Sequence, residues 1–190
     1  MKYLIVYAHP NPKSFNNAIR GHVEAALKKQ GKQYSVRDLY LLKWNPVLGG
    51  EDLNFSKKGK TPADIKTEQQ YIKEADVIIV IHPIWWFGMP AVLKGYIDRV
   101  FSAGFAYEYA ADGIKGLLAD KKVMIINTTG GPQESYSKGG FKDALGKIFK
   151  DGTYGFCAME VIKHLFFFAV STVTKEAREE MLVEIDNLEF

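Results

Sequence analysis

The run Val77-Ile78-Ile79-Val80-Ile81 constrains the chain more than any other stretch. Consecutive β-branched residues with no polar alternation read as a strand buried on both faces, the pattern of an inner strand in a parallel sheet. The strand leads into a loop from His82 to Pro90, and then into a helical pattern. Val92, Leu93, Tyr96, Ile97, Val100 and Phe101 recur at three- and four-residue spacings, one apolar stripe of a helix. Pro90 suits the first turn of that helix, where its missing N–H costs nothing. Trp85, Trp86 and Phe87 therefore stand in a tight loop at the carboxyl end of a central strand, where open α/β sheets bind their ligands. Aromatic clusters are usually core. Here the cluster lies between Pro83 and Gly88, off any periodic face, and the flanking elements already supply a core stripe. A flat aromatic ligand is the expectation.

The rest of the chain repeats the alternation. Residues 3–7 read as a first buried strand, followed by a Pro-rich loop and a helix over 15–30. Ser14 is its N-cap, Ile19, Val23, Ala26 and Leu27 its inner face, and Gly31 its end. Residues 33–39 make a shorter, more polar strand suited to a sheet edge. Residues 43–62, with Trp44-Asn45-Pro46, Gly49-Gly50 and the basic run 57–60, show no period and read as a long loop. A helix is expected over 63–75. Beyond the central helix, residues 105–116 read as an aromatic-rich loop, 122–128 as a fourth strand and 141–150 as a helix. A fifth strand falls within 159–170, and a last helix over 175–188 turns Ala177, Met181, Ile185 and Leu188 to one side. Five strands alternating with five helices predict a three-layer α/β/α doubly wound sheet, with strand order 2-1-3-4-5.

Composition removes several classes. A chain of 190 residues fits one domain, 1–190, and its 47% hydrophobic and 25% charged residues are ordinary for a globular protein. The net charge of +3 comes from 25 basic and 22 acidic residues scattered along the chain, not from the concentrated stripe that nucleic-acid binding needs. The single Cys157 forbids an intrachain disulfide and a cysteine-based zinc site. His9, His22, His82 and His164 lack metal-ligand spacing, so no metal is expected. No apolar run reaches the roughly 18 residues that span a bilayer, and the N-terminus carries no signal-peptide pattern. The expected location is cytoplasmic, without membrane insertion.

In a doubly wound sheet the ends of strands 1, 3 and 4 are neighbours, so three loops should line one cleft. The first brings His9, Ser14, Phe15 and Asn16 to a helix N-terminus, where orphan N–H groups and the helix dipole favour a phosphate. Taken alone, Ser14 reads first as an ordinary cap. The second brings Pro83, Ile84, Trp85, Trp86 and Phe87. The third brings Thr128, Thr129, Gly130 and Gly131, where paired glycines admit close approach and threonine hydroxyls can bond a heterocycle's edge. Together they describe a flavin site. A dinucleotide fingerprint of the Gly-x-Gly-x-x-Gly type and a nucleotide-hydrolase phosphate loop are both missing.

The chain resembles the NAD(P)H:quinone oxidoreductase family of flavodoxin-like flavoproteins, bacterial NAD(P)H oxidoreductases included, over almost its whole length. The motifs are Ala8-His9 with Ser14-Phe15-Asn16; Pro83, Trp86-Phe87-Gly88 and Pro90 through Gly95; Phe105-Ala106-Tyr107 with Tyr109; and Thr128 to Gly131 leading to Tyr136. The resemblance implies that His9, Ser14, Phe15 and Asn16 hold the flavin's phosphate end. Pro83 to Phe87 then line the ring, and Thr128 to Gly131 bind its polar edge. It implies a homodimer in which Tyr107 and Tyr109 help complete the neighbour's site. It also implies that NAD(P)H gives a hydride to flavin N5, and that a quinone or similar acceptor then takes two electrons in the same place. Tyr136 is the expected hydrogen-bond donor at the flavin's carbonyl edge. Relatives of the mammalian enzymes carry a relay histidine six residues beyond that tyrosine, where this chain has Lys142, expected to act as a fixed cation. FMN is expected ahead of FAD, which the longer mammalian branch uses. The alternative function is a flavin-binding regulatory subunit of a potassium efflux system.

Overall fold

The computed structural model describes residues 1–57 and 60–190, so Lys58 and Gly59 of the expected 43–62 loop lie outside the described residues. Five parallel strands form the sheet: β1 (Lys2–Tyr7), β2 (Gln33–Asp38), β3 (Val77–Pro83), β6 (Lys122–Thr128) and β7 (Glu160–Phe167). Their spatial order is β2-β1-β3-β6-β7, which is the 2-1-3-4-5 order expected from the sequence. β3 is buried at every residue, as its unbroken apolar run requires. β2 is half-exposed at the edge.

Helices cover both faces. α1 (Phe15–Lys29) and α7 (Lys175–Asp186) pack Ile19, Val23, Leu27 and Ile185 against Ile5, Ile79, Ile81 and Ile126. On the opposite face, α3 (Ala63–Glu74), α4 (Ala91–Val100) and α6 (Phe141–Lys147) pack Ile65, Ile72, Leu93, Tyr96 and Leu145 against Val6, Val80 and Ile125. Alternate residues of one strand thus feed separate cores, and each fully buried Ile or Leu contributes about 1.5–3 kcal/mol.

Three expectations need correction. The 43–62 stretch is not all loop, because α2 (Gly50–Lys57) forms within it. Arg99, 6% exposed, reaches Asp52 of α2 through Nε at 2.8 Å, Asp64 through Nη1 at 2.7 Å and the Asn45 carbonyl at 3.1 Å. A buried guanidinium with several acceptors orders a segment that has no apolar period of its own. Residues 105–116 are likewise not a loop but mostly an antiparallel hairpin, β4 (Tyr107–Ala110) with β5 (Gly113–Gly116). Finally, the helix expected over 141–150 stops at Lys147 and continues as a wider π-type turn over Ile148–Tyr154, and a short α5 (Gln133–Lys138) precedes it. Gly139 and Gly140 separate the two short helices, Gly140 in the left-handed region at φ +68°. Among the described residues no helix is long and apolar enough to cross a membrane.

Candidate functional site

The carboxyl ends of β1, β3, β6 and β7 open into one cleft of about 520 Å³, within the range of small-molecule sites. The loop after β1 supplies His9, Ser14, Phe15 and Asn16, and the loop after β3 supplies Pro83, Ile84, Trp85 and Trp86. The loop after β6 supplies Thr128, Thr129 and Gly130. Val170 and Ser171, which follow β7, line it as well. These last two escaped the sequence reading. Their position after the fifth strand was the only signal, and their hydrogen bonding completes the explanation: Val170 N–H donates to the Thr129 carbonyl (3.0 Å), lacing the two loops together.

Ser14 caps α1 through its hydroxyl, which accepts from Asn17 N–H at 3.1 Å. Asn17 and Ala18 N–H also donate to the Ser14 carbonyl, so the Phe15 and Asn16 N–H groups remain as orphan donors of the first turn. No acidic residue occupies that turn. His9 Nδ1 accepts from Asn11 N–H (3.1 Å), which puts the imidazole proton on Nε2. Burial lowers the His9 pKa below its ordinary value, so it is a neutral donor. Asn16 is 3% exposed; its Nδ2 donates to Thr128 Oγ1 at 2.7 Å, while its Oδ1 has no partner among the described residues. A buried amide with one end satisfied and the other open, in the wall of a cleft, fits a polar ligand group such as a ribityl hydroxyl.

The β3 loop is the opposite in character. Trp85 and Gly88 exchange two backbone hydrogen bonds (3.1 and 3.0 Å), and between them Trp86 and Phe87 sit in left-handed conformation at φ +50° and +53°. Such turns normally take Asn or Gly. Bulky residues there cost of order 1–3 kcal/mol each, and strain of this kind clusters at ligand sites. Trp86 is fully exposed and Trp85 and Phe87 are 40% and 49% exposed, so the cluster is not core. The His9 ring lies 5.7 Å from that of Trp85 across the cleft mouth.

On the β6 side, the Thr129 hydroxyl donates to the Gly131 carbonyl (2.7 Å) and so holds the loop. The Thr128 hydroxyl accepts from Asn16 and keeps its own proton available. Gly131 approaches closely, since a Cβ there would meet the Tyr136 ring at 3.3 Å, a tight contact that the ring would have to relieve. Phe87, Gly131 and Tyr136 do not line the cleft floor but flank it: Tyr136 packs on Phe87 (5.4 Å) and Phe168 (5.6 Å), and Phe87 on Phe141 (4.3 Å). Burial raises the Tyr136 phenol above its ordinary value, so it remains an O–H donor at neutral pH. Lys142 stands 6.0 Å from the Phe168 ring, on the same aromatic shelf.

Tyr107 and Tyr109 lie elsewhere. They are in edge contact with one another (5.7 Å) on β4 and border a second cavity of about 320 Å³ with Leu48, Leu53 and Arg99. Tyr109 is 76% exposed. No cluster of metal-ligating residues occurs among the described residues.

The sequence model of a family described as having a flavodoxin-like fold matches residues 1–188. An NAD(P)H oxidoreductase of Haemophilus influenzae is 36% identical over 96% of this chain and 91% of its own. NAD(P)H dehydrogenase [quinone] 1 of Cavia porcellus is 35% identical over 94% of this chain and 72% of its own. The solved NAD(P)H:quinone oxidoreductase of Methanothermobacter marburgensis superposes with a TM-score of 0.84 at 26% identity, covering 98% of this chain and 94% of that one. The chain belongs to the NAD(P)H:quinone oxidoreductase family of flavodoxin-like proteins.

Proposed function

We propose that the chain is a flavin-dependent NAD(P)H:acceptor oxidoreductase that holds FMN in the cleft and reduces a quinone or similar aromatic acceptor. The observation that carries this reading is the cleft's pairing of unpartnered polar groups, an amide oxygen and helix N–H donors, with an uncovered aromatic wall. The Asn16 amide and the first-turn N–H groups of α1 stand on one side, and the exposed Trp85–Phe87 turn on the other. A flavin bound there supplies reversible two-electron chemistry.

The chain's own groups then have distinct tasks. His9 Nε2–H, the Ser14 cap and the Phe15 and Asn16 N–H groups bind the phosphate end. Pro83, Ile84, Trp85, Trp86 and Phe87 exclude water from the ring. Thr128, through its free hydroxyl proton, and Gly130 and Gly131, through open backbone, meet the polar edge, with Thr129 bracing the loop. Tyr136 is the catalytic donor: its phenol keeps its proton and directs it to oxygen that gains negative charge, while Lys142 adds fixed positive charge nearby. Tyr107, half-buried, and Tyr109, exposed, lie away from this chain's own cleft and suit a homodimer in which they reach the neighbour's.

The test is direct. Purified protein should be yellow, and mass spectrometry of the released cofactor should return FMN; FAD would keep the flavin reading and change the cofactor. Anaerobic NADH or NADPH should bleach it within the mixing time, and a quinone should restore the colour. Protein that takes up neither flavin at micromolar concentration would overturn the proposal. Tyr136→Phe should slow quinone reduction at least tenfold with flavin affinity held within threefold. Equal losses in both would remove the role given to Tyr136.

A further inference from the structure

Beneath the cleft, three polar side chains from three strands, two of them fully buried and the third half-buried, form one hydrogen-bonded chain that the site described above does not use. His82 of β3 and Asn127 of β6 are adjacent in register and both fully buried. His164 of β7 lies on the same face of the sheet, in register with Ile125, two residues before Asn127. Asn127 Nδ2 donates to the His82 carbonyl at 3.2 Å and lies 3.0 Å from His82 Nε2, and Asn127 Oδ1 lies 2.7 Å from His164 Nε2. His82 Nδ1 lies 2.9 Å from the carbonyl of Pro83.

These contacts admit one arrangement of protons. A backbone carbonyl can only accept, so the atom bonded to the His82 carbonyl is the amide nitrogen, and the Asn127 orientation follows. His82 Nε2 must then accept the second amide proton, which leaves the His82 proton on Nδ1, donated to Pro83. The amide oxygen accepts in turn, so His164 carries its proton on Nε2. The chain runs His164 Nε2–H to Asn127 to His82 Nδ1–H to the Pro83 carbonyl, and it is intact only while His82 is neutral.

Pro83 opens the strained turn. It has no N–H to give to the sheet, so its carbonyl is the peptide's remaining handle. Downstream, Ile84 N–H donates to the Thr128 carbonyl (2.8 Å), and the turn closes on itself at Trp85 and Gly88. Fully exposed Trp86 has no side-chain packing that could hold it in the left-handed conformation. We propose that the His82–Asn127–His164 chain is a positioning device for the flavin's aromatic wall, fixing the Pro83 carbonyl so that the strained Trp85–Phe87 turn is preformed before the cofactor arrives. The inference rests on the flavin reading above and adds to it the residues that set the wall. His82, Asn127 and His164 are positioning residues, since they act through Pro83. Preformed walls bind better because the ordering is done in advance.

The experiment has two parts. Long-range 15N–1H histidine spectra of the full-length protein at pH 7 should show His82 neutral with its proton on Nδ1, and His164 with its proton on Nε2. A His82 signal from the Nε2–H tautomer, or from a tautomer mixture, would overturn the chain. FMN binding by flavin-free protein, read as loss of flavin fluorescence, should weaken at least tenfold in His82→Phe, which keeps a ring against Phe149 but loses the donor. It should recover to within threefold in His82→Asn, whose amide nitrogen can replace Nδ1–H. A purely structural role would lower the melting temperature of both variants and leave both FMN dissociation constants near that of the unchanged protein; that result overturns the positioning role and spares the flavin reading. Unchanged protein that binds neither FMN nor FAD overturns both. A visible circular dichroism band of bound FMN that is altered in His82→Phe and restored in His82→Asn supports the proposal, and an identical band in all three proteins contradicts it.

Discussion

The loop after β1 and the loop after β3 face each other across the cleft, yet they hold their shapes in different ways. The first is relaxed: Ser14 is extended at φ −74° and ψ 159°, its hydroxyl caps α1, and what it presents is backbone N–H and the Asn16 amide. The second carries Trp86 and Phe87 in left-handed conformation and presents uncovered aromatic surface. A helix start binds an anion at no conformational cost, because its N–H groups are unpaired in any case. A flat ring has no such ready-made receptor. A wall for it must be pushed out of the core and held there, which requires anchors from below.

Acid should have the largest effect, concentrated beneath the second loop, while His9 of the first loop, also lowered by burial, adds to it in the same direction. Burial holds the His82 imidazole at about 4, against an ordinary value of 6.5, and His164 is also lowered to about 4 by burial, with the charges of His82 and Lys142 adding to the effect. Above pH 6.5 His82 is neutral whether folded or unfolded. As the pH falls toward 4 the unfolded chain binds a proton that the folded chain refuses, so stability drops, and below 4 the loss stops growing. For His82 alone the loss is about 3 kcal/mol. Urea unfolding at pH 7 and pH 4.5 should show a smaller drop in His82→Gln than in the unchanged protein, and equal drops would contradict the buried neutral state. The Ser14 cap does not titrate and contributes nothing to this slope.

Asn16→Leu comes next. It strands the buried Thr128 hydroxyl and removes the open amide, so unfolding stability should fall by about 2 kcal/mol together with a marked loss of FMN affinity. Trp86→Asn sharpens the contrast by moving two quantities in opposite directions. Asparagine tolerates the left-handed region, so the flavin-free protein should gain about 0.5–1 kcal/mol, while FMN binding weakens about tenfold as the aromatic surface goes. A calorimetric melt and a flavin titration on the same sample check both signs. Ser14→Ala is the smallest change, costing about 1 kcal/mol of stability through the lost cap.

The difference between the loops also sorts what could be read in advance. The sheet order, the burial of β3, the Ser14 cap and the grouping of three loops followed from periodicity and turn chemistry, because these signals are local and each strand's neighbours are set by the crossover rule. Val170 and Ser171 carry no such signal; they enter the cleft because the loop after β7 bonds to Thr129. The hairpin at Tyr107–Gly116 was hidden by its aromatic content, and α2 by having no apolar stripe, its order coming from Arg99 far along the chain. Phe87 is expected at the ring and Tyr136 at its carbonyl edge, and only the fold brings the two side chains against each other at the cleft's flank.

The amino-acid sequence by itself determined the layered architecture and the end of the sheet at which chemistry can occur, since both follow from hydrophobic period and chain handedness, properties of short segments. Tertiary structure alone decided the left-handed Trp86 and Phe87, the open end of the Asn16 amide and the proton arrangement of His82, Asn127 and His164. Each of these depends on hydrogen-bond partners brought together from separate strands or loops. A buried polar group takes its state from whatever acceptor or donor the fold sets within 3 Å or so of it, and no local pattern encodes that distance.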